Sequence, residues 1–273
     1  MRPPLRLFLS ALLLSAGGLL RAGPALGDGE SLTYRVGWGL FFGAGEIRIA
    51  GKAAPPEAGQ PRLDVTTTTS TRGLARVLFT FDARADAIFD LQSGRLLSTT
   101  EASKSDTKKT KNSVVFDYKK ATASYVNEIN PDKTTTLPMP AGEPLDLIMS
   151  LIQTRTWNLK PGETRDALVI FDDEFYELTI HAEGYEEVRT PLGTFNTLVL
   201  VPRMDKTPPK GMFKRGSGVR VWISQDERRL PVKFLVDFKF GSGVATLVNY
   251  QPPAAATPSA KTPLAESGAA RSP

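Results

Sequence analysis

Residues 185–236 constrain the fold more than any other part of the chain. Three segments rich in β-branched and aromatic residues follow one another there: residues 195–202, Val219–Ser224 and the run that begins at Pro231. The last two alternate apolar and polar side chains with the period of two that a half-buried strand requires. Residues 185–189 are expected to form a hairpin with residues 195–201 through the turn Thr190-Pro191-Leu192-Gly193. A polar turn at residues 225–228 follows the second segment. The stretch therefore predicts an antiparallel β-meander.

The rest of the chain repeats the same pattern. Residues 31–49 read as strand, and their dense glycines (Gly37, Gly39, Gly43 and Gly45) predict a bulge, tight coiling or close backbone approach. On residues 80–90, Phe81, Ala83, Ala85, Ala87 and Phe89 share one face. Further strand patterns lie at residues 63–71, 96–103, 114–118, 123–128, 165–171 and 175–182.

One segment has helical rather than strand periodicity. Over residues 143–157, acidic residues and Pro144 occupy the first turn, as a helix N-terminus favours. Leu145, Ile148, Leu151 and Ile152 form one apolar stripe. The predicted fold is all-β and mainly antiparallel, a strongly curved sheet or barrel-like single domain. Its one packed α-helix, at about residues 143–157, is expected in or across the concave side.

The N-terminal 27 residues predict a secretory signal peptide. Arg2 and Arg6 give a positive start, residues 7–20 are apolar apart from Ser and Gly, and Ala25-Leu26-Gly27 is a small-x-small cleavage pattern. The run is too short and wrongly flanked for a spanning helix, although an uncleaved anchor is the alternative. No Cys follows it, so a lipid-modified N-terminus is not expected.

This leader sets the expected domain organisation and location. Residues 28–250 are predicted to form the β-rich domain, and residues 251–273, rich in Pro, Ala and Ser, a disordered tail. No later segment is apolar over the ~18 residues of a second span. The mature protein is expected in the periplasm and not in the membrane.

Charge and cysteine content exclude several classes of function. Removing the three leader arginines from the 34 basic residues leaves 31 against 29 acidic ones, which gives little support to nucleic-acid binding. The chain has no Cys, so it has no disulfides, thiol nucleophile, thiolate metal site or iron–sulfur cluster. No phosphate-binding or dinucleotide-binding motif is present, and no cofactor or metal is predicted.

The candidate catalytic residues form no recognisable constellation. The one histidine, His181, falls on the polar face of its strand, without metal-ligand spacing or a serine elbow. The acidic pairs Asp172/Asp173, Glu186/Glu187 and Asp226/Glu227 lie in or beside turns, where carboxylates are usually solvated. The sequence therefore predicts a protein that is not an enzyme.

Two groups of residues are candidates for binding. Trp38, Phe41, Phe42 and Trp222 either line a pocket for a lipid or acyl chain or serve as ordinary core. The basic loop from Lys206 to Arg215 has an apolar tip that either touches a membrane or partner, or folds back on the sheet. The candidate contact residues of this loop are Lys206, Lys210, Met212, Phe213, Lys214 and Arg215. The lysine-rich turn at residues 104–112 is a solvated turn or faces an anionic surface.

Four phrases in a fixed order carry a family resemblance. They are Tyr34-x-Val36-x-Trp38-Gly39, Asp146-Leu147-Ile148-Met149-Ser150, Thr190-Pro191-x-Gly193-Thr194-Phe195, and Val221-Trp222-Ile223-Ser224-x-Asp226-x-Arg228-Arg229-Leu230-Pro231-Val232. Together they resemble the bacterial exported family catalogued as domain of unknown function 3108, over roughly residues 32–250. The resemblance implies a periplasmic location and a β-rich fold, and it supplies no catalytic residues.

These observations favour a non-enzymatic envelope protein that binds an apolar or amphipathic ligand, or an envelope partner, in the concavity of the sheet. Two alternatives remain open. One is a hydrolase of envelope polymers, which would bring two carboxylates within ~10 Å of each other in one cleft. The other is a structural or assembly protein, which would present an exposed adhesive edge or loop and no pocket.

Overall fold

The computed structural model describes residues 25–39, 41–57, 59–210, 213, 218–238 and 241–254. Residues 1–24 of the predicted signal peptide lie outside the described residues. Residues 255–273 of the predicted tail also lie outside them. The side chains of Phe41, Phe42 and Phe238 are also outside the description.

The described residues form one sheet of fifteen strands, as the repeated period-2 patterns predict. Its first half contains β1 (Ser31–Trp38), β2 (Phe41–Glu57), β3 (Gln60–Thr71), β4 (Phe81–Asp90), β5 (Leu96–Ser105), β6 (Lys109–Asp117), β7 (Thr122–Asn127) and β8 (Thr135–Pro138). Its second half contains β9 (Pro144–Asp146), β10 (Thr164–Phe171), β11 (Glu174–Thr190), β12 (Gly193–Arg203), β13 (Val219–Ser224), β14 (Pro231–Phe238) and β15 (Gly241–Gln251).

The strand order is β8-β7-β6-β5-β4-β3-β2-β1-β15-β14-β13-β12-β11-β10-β9. Each strand pairs antiparallel with its neighbour, except that β9 runs parallel to β10. The β1–β15 pairing joins the two halves, so strands from the two ends of the chain lie side by side at the centre of the sheet. The predicted all-β, mainly antiparallel fold is confirmed.

The meander at residues 185–236 has the predicted order, with one difference. Residues 175–182 and 185–189 belong to a single long strand, β11, which stays continuous through a register shift between Ala182 and Gly184. A bulge of this kind bends a strand without ending it. The turn at Pro191 and Leu192 and the strand start at Pro231 are confirmed.

The internal helix is shorter than the sequence pattern indicates. Helix α2 spans Leu147–Gln153, and a 3₁₀ turn, Thr154–Thr156, follows it. Pro144 lies in β9 rather than in the first helical turn, because this segment pairs with β10. Asp146 is the N-cap, and its side chain accepts a hydrogen bond from the Met149 N–H at 2.8 Å. The other α-helix, α1 (Gly73–Leu78), precedes α2 in the chain and connects β3 to β4.

The inward face of the curved sheet carries the core. Leu32, Tyr34, Ile49, Phe89 and Leu247 are fully buried there, and Tyr34 donates its hydroxyl to the Pro231 carbonyl at 2.8 Å. The core also includes Ala25 and Leu26. Both residues precede the cleavage position predicted after Gly27, and the domain boundaries at residues 28 and 250 stay a prediction. None of the helices among the described residues has the length and apolarity needed to cross a bilayer.

Candidate functional site

Side chains from the two halves of the sheet meet across its interior. The Asn112 Nδ2 on β6 donates a hydrogen bond of 3.2 Å to the Oδ1 of Asp172, the residue that follows β10. At the exposed margin of this interior, the Nε of Arg95, just before β5, lies 3.1 Å from the Oε2 of Glu143, just before β9. These contacts join residues that are far apart in the sequence, so the curvature of the sheet makes the interior a shared site.

A cavity of about 210 Å³ lies between the inward faces of β3–β6 and the segment that contains Asp146, Leu147 and Ile148. Its β4 wall carries Ala83 and Ala85, which are on the face that the alternation at residues 80–90 predicts. These small side chains leave the space open. The polar groups around it include Thr67, Thr69, Thr99, Glu101, Asn112, Asp146 and Asp172.

Three carboxylates line this cavity, and two of them hold their protons more tightly than usual. Burial raises the pKa of Glu101, and the negative charges of Asp172 and Asp146 raise it further. Burial also raises the pKa of Asp146, to about 6, although backbone N–H groups at the start of α2 oppose this shift. The cavity is therefore a partly dry, acidic environment in which a ligand's hydroxyl or amino group would find acceptors.

A second and larger cavity, of about 760 Å³, lies on the other side of the β9–α2 segment. Glu143, Ser150, Gln153, Trp157 and Arg165 contribute to its wall. The Arg165 guanidinium stacks over the Trp157 ring, 4.7 Å from the centroid. This volume falls within the range of typical small-molecule sites, and its lining is more polar than that of the first cavity.

Helix α2 separates the two cavities and is anchored in the core. Met149 and Ile152 are buried, and Leu147 and Leu151 face Leu178, Leu200 and other inward residues of β11–β13. The predicted position of the helix on the concave side is confirmed. Because α2 forms a wall of both cavities, a small displacement of this helix would change the shape of each.

Two of the predicted aromatic ligand residues, Trp38 and Trp222, have described side chains. Trp222 is buried, donates Nε1 to the Glu186 Oε2 at 2.7 Å and lies under the Lys233 ammonium, 4.3 Å from the ring centroid. Trp38 is 37% exposed at the end of β1. Neither lines either of the two cavities described above. A ligand-binding role for them, and for Phe41 and Phe42, stays a prediction.

The described part of the 206–215 loop folds back on the sheet. Lys206 pairs with Asp166 at 2.5 Å and reaches the larger cavity. Lys210 pairs with Glu174 at 3.3 Å and lies over the Tyr176 ring. Phe213 packs on that same ring, with centroids 6.2 Å apart. Met212, Lys214 and Arg215 lie outside the described residues, and contact of this loop with a membrane or partner stays a prediction.

The candidates His181 and Asp226 have structural partners. His181 Nε2 lies 2.6 Å from Asp205 Oδ2 on the outer face. Asp226 accepts hydrogen bonds from Ser224 and Arg228 within its turn. Of the predicted acidic pairs, Asp172 alone lines one of the two cavities described above. Within the described ranges, no group of three or more His, Asp or Glu side chains is arranged to hold a metal ion.

Sequence reasoning missed Glu101 and the position of Asp146 in a cavity wall. A signal for the cavity was present in the alternating alanines of residues 83–87, which mark a strand face with little side-chain volume. No local pattern indicates that this face lies opposite the N-terminus of α2. That relation depends on strands far apart in the sequence.

Together these features define a class of protein, an antiparallel β-barrel-like domain. Helix α2 packs on the concave side of its sheet, and one cavity lies on each side of this helix. The chain belongs to the family described as protein of unknown function DUF3108, whose model matches residues 33–248. The resemblance seen in the sequence is thereby confirmed. No curated protein matches the chain.

Solved structures with a similar fold are distant in sequence. A β-barrel-like protein of domain of unknown function DUF1849 from Brucella abortus has a TM-score of 0.50 at 10% identity, covering 82% of this chain and 97% of its own. A protein provisionally described as a lipoprotein from Parabacteroides distasonis has a TM-score of 0.35 at 8% identity, covering 84% and 97%. One provisionally described as an exported protein from Bacteroides fragilis has a TM-score of 0.34 at 8% identity, covering 83% and 97%.

Proposed function

We propose that this chain is a non-enzymatic, periplasmic binding protein of the bacterial envelope that takes an amphipathic ligand inside its curved sheet. The observation that carries this proposal is the pair of cavities on either side of α2. The location rests on the N-terminal leader pattern, a positive start followed by an apolar run.

The chemistry of the smaller cavity supports an amphipathic rather than a purely apolar ligand. Ala83, Ala85 and Phe81 offer apolar contact on one wall, whereas Glu101 and Asp146 offer oxygen atoms on the others. Polar groups that point into an apolar cavity orient a ligand and discriminate between ligands. An acyl chain joined to a hydroxyl-bearing or amino-bearing head group matches this distribution.

Native mass spectrometry of protein recovered gently from its own host tests the proposal. We expect a reproducible mass adduct that fragments as a lipid or other amphipathic molecule. Ala85→Phe should reduce the adduct because the ring fills the smaller cavity. A bare polypeptide mass for the unmodified chain would reject the proposal.

Ala102→Phe is the matched control for this variant. Ala102 is an exposed residue of β5 that does not line the cavity, whereas its neighbour Glu101 does. Successive side chains of a strand point to opposite faces, so the added ring points away from the cavity. We expect the control to keep the adduct. Equal loss in both variants would show that a change of fold, and not filling of the cavity, removes the ligand.

A second candidate function is hydrolysis of an envelope polymer. It is favoured by one observation, the presence of Glu101 and Asp146 in the same cavity with raised pKa values, because a general acid needs such a pKa. Incubation with peptidoglycan sacculi tests it. Release of soluble fragments that is lost in both Glu101→Gln and Asp146→Asn would support hydrolysis, and absence of release by the unmodified chain would reject it for this polymer.

A further inference from the structure

Helix α1 has its apolar face turned away from the protein. Leu74, Val77 and Leu78 follow the i, i+3, i+4 spacing of one helical face, and they are 64%, 81% and 67% exposed. A surface helix of a globular protein normally buries such a face and exposes its charges. Here no residue of α1 is buried, so the packing of the domain does not account for the apolar face.

The polar contacts of the helix point toward the sheet instead. Arg76 donates two hydrogen bonds to Asp82 of β4, at 2.8 and 2.9 Å. Arg72, at the N-cap position, pairs with Glu46 of β2 at 2.6 Å, and its N–H bonds to the Ala44 carbonyl at 2.8 Å. These contacts fix the orientation of α1, with its apolar face outward.

The apolar surface continues beyond α1. Phe79 is 49% exposed and stacks on Phe81, with ring centroids 6.3 Å apart. Trp38 is 37% exposed and lies at the same end of the sheet. Its partner Phe41 begins β2, and Gly45, four residues further on, pairs with Thr71 at the end of β3, just before α1. We call Leu74, Val77, Leu78 and Phe79 the α1 patch.

A lysine-rich turn lies next to the α1 patch. The Thr80 N–H, just after α1, donates to the Asp106 carboxylate in the β5–β6 turn at 2.9 Å. Lys104 near the end of β5, Lys108 in the turn and Lys109 at the start of β6 are exposed. Within the described part of the chain, Lys108 and Lys109 form no ion pair, whereas Arg72 and Arg76 are neutralised by Glu46 and Asp82. The surface beside the patch is therefore net positive.

We propose that this end of the sheet docks on an anionic lipid bilayer, with the α1 patch inserted among the lipids and the β5–β6 lysines on the head groups. Exposed apolar side chains flanked by lysines have the chemistry of interfacial membrane contact. The α1 patch, three side chains of the helix and that of Phe79 after it, is smaller than the about 800 Å² per partner of a stable protein interface. A bilayer needs no such area or shape complementarity.

Vesicle co-sedimentation tests this docking. The protein is recovered after export, and its mass is checked. It is then mixed with vesicles of phosphatidylcholine alone, or of phosphatidylcholine with about 30% phosphatidylglycerol, which gives the vesicles a strong negative surface charge. We expect binding to the anionic vesicles that weakens with added salt. Absence of binding to both kinds of vesicle would overturn the proposal.

Two double variants separate the apolar and charged contributions. Val77→Ser with Leu78→Ser should lower the bound fraction at least tenfold, because it removes the most exposed part of the patch. Lys108→Glu with Lys109→Glu should lower binding to anionic vesicles at least fivefold. Binding unchanged in either double variant would contradict the proposed orientation.

Matched controls lie at the opposite end of the sheet. Leu192→Ser removes an exposed apolar side chain in the β11–β12 turn, and Lys119→Glu with Lys120→Glu reverses exposed charges in the β6–β7 turn. Both should bind vesicles like the unmodified protein. Equal weakening in the controls would reject a specific docking end, as would salt-insensitive binding.

Sedimentation velocity tests a second copy of the chain as the occupant of the α1 patch. Self-association that depends on Val77 and Leu78, without vesicle binding, would assign the patch to a second copy instead.

This proposal is independent of ligand binding in the cavities. The variants act on exposed residues that do not line the cavities, so loss of vesicle binding would leave the adducts in native mass spectra unchanged. A protein without any adduct that still binds vesicles would retain the docking proposal and reject the ligand proposal.

Discussion

Arg155 and Glu30 form an ion pair at 2.6 Å with side chains that are only 11% and 4% exposed. Arg155 follows α2, and Glu30 precedes β1, so the pair ties the internal helix to the first strand. Further hydrogen bonds satisfy both groups: Arg155 donates to the Arg228 carbonyl at 2.8 Å, and Glu30 accepts from the Gly27 N–H at 2.9 Å. The position of α2 therefore depends on residues from three distant parts of the chain.

Removal of one partner of this pair should destabilise the protein strongly. We expect Glu30→Gln to lower the free energy of unfolding by about 3–5 kcal/mol, because it leaves the Arg155 charge buried without a counterion. Urea unfolding measures the loss. The control is Glu183→Gln in the exposed Arg203–Glu183 pair, which should change the stability by less than about 1 kcal/mol. Equal losses in the two variants would contradict the assigned burial.

The stability of the domain should carry a pH-dependent contribution from Asp146. Its pKa in the folded state, about 6, lies above the usual value of 3.8, so the folded protein binds more protons than the unfolded chain between these values. Stability from this group is present at low pH and falls as pH rises toward 6, by about 1–3 kcal/mol in total.

Asp146→Asn isolates that contribution because Asn also caps helices but does not ionise. We expect the stability difference between the variant and the unmodified protein to shift in favour of the variant from pH 4 to pH 7. Thermal unfolding at several pH values measures it, and carboxylates common to both proteins cancel in the difference. A pH-independent difference would show that Asp146 does not titrate differently in the folded state.

The burial of Ala25 and Leu26 makes a prediction for processing. Cleavage after Gly27 would remove both residues from the core, where Leu26 is only 2% exposed. We expect the N-terminus of the exported protein, read by intact mass, to precede Ala25. A chain that begins at Asp28 should be less stable by about 1.5–3 kcal/mol from the loss of Leu26 alone. An exported protein that begins at Asp28 and unfolds at the same urea concentration as a chain that keeps Ala25 and Leu26 would contradict this prediction.

Gly45, in the glycine-rich first hairpin, is a position where a side chain does not fit. A Cβ on Gly45 would lie 2.8 Å from the Ser70 carbonyl oxygen on the neighbouring strand. We expect Gly45→Ala to lower the free energy of unfolding by about 1–3 kcal/mol, since the backbone must shift. Gly184→Ala is the control because a Cβ there meets nothing within 4 Å. A similar loss at both positions would point to a general effect of glycine replacement.

Much of the fold could be predicted from local patterns. The alternation in residues 219–224 and 231–238 reports which side chains share a face, and this property needs no knowledge of distant strands. The bulge near Gly37 appears as a register shift between Val36 and Trp38. The length of α2 was overestimated because the stripe from Leu145 to Ile152 is compatible with a helix, whereas Pro144–Asp146 pairs with β10.

The candidate site could be predicted only in part. The sequence shows Asp172 as one of two adjacent acids in a turn, but its partner Asn112 lies on β6. No local pattern distinguishes Glu101 from the other polar residues of its strand. The size of Trp222 makes it a candidate ligand residue, yet it contacts Glu186 and Lys233 and lines neither of the two cavities. Large aromatic residues report buried area, which cores and ligand sites share.

The sequence by itself determined the antiparallel strands, the apolar leader pattern, the absence of thiol chemistry and the family. These properties depend on neighbours within a few residues or on composition. Only the tertiary structure decided that Glu101 and Asp146 share a cavity, that Arg155 reaches Glu30, and that the apolar face of α1 points outward. These relations depend on sheet curvature and on ion pairs between distant strands, which local periodicity does not encode.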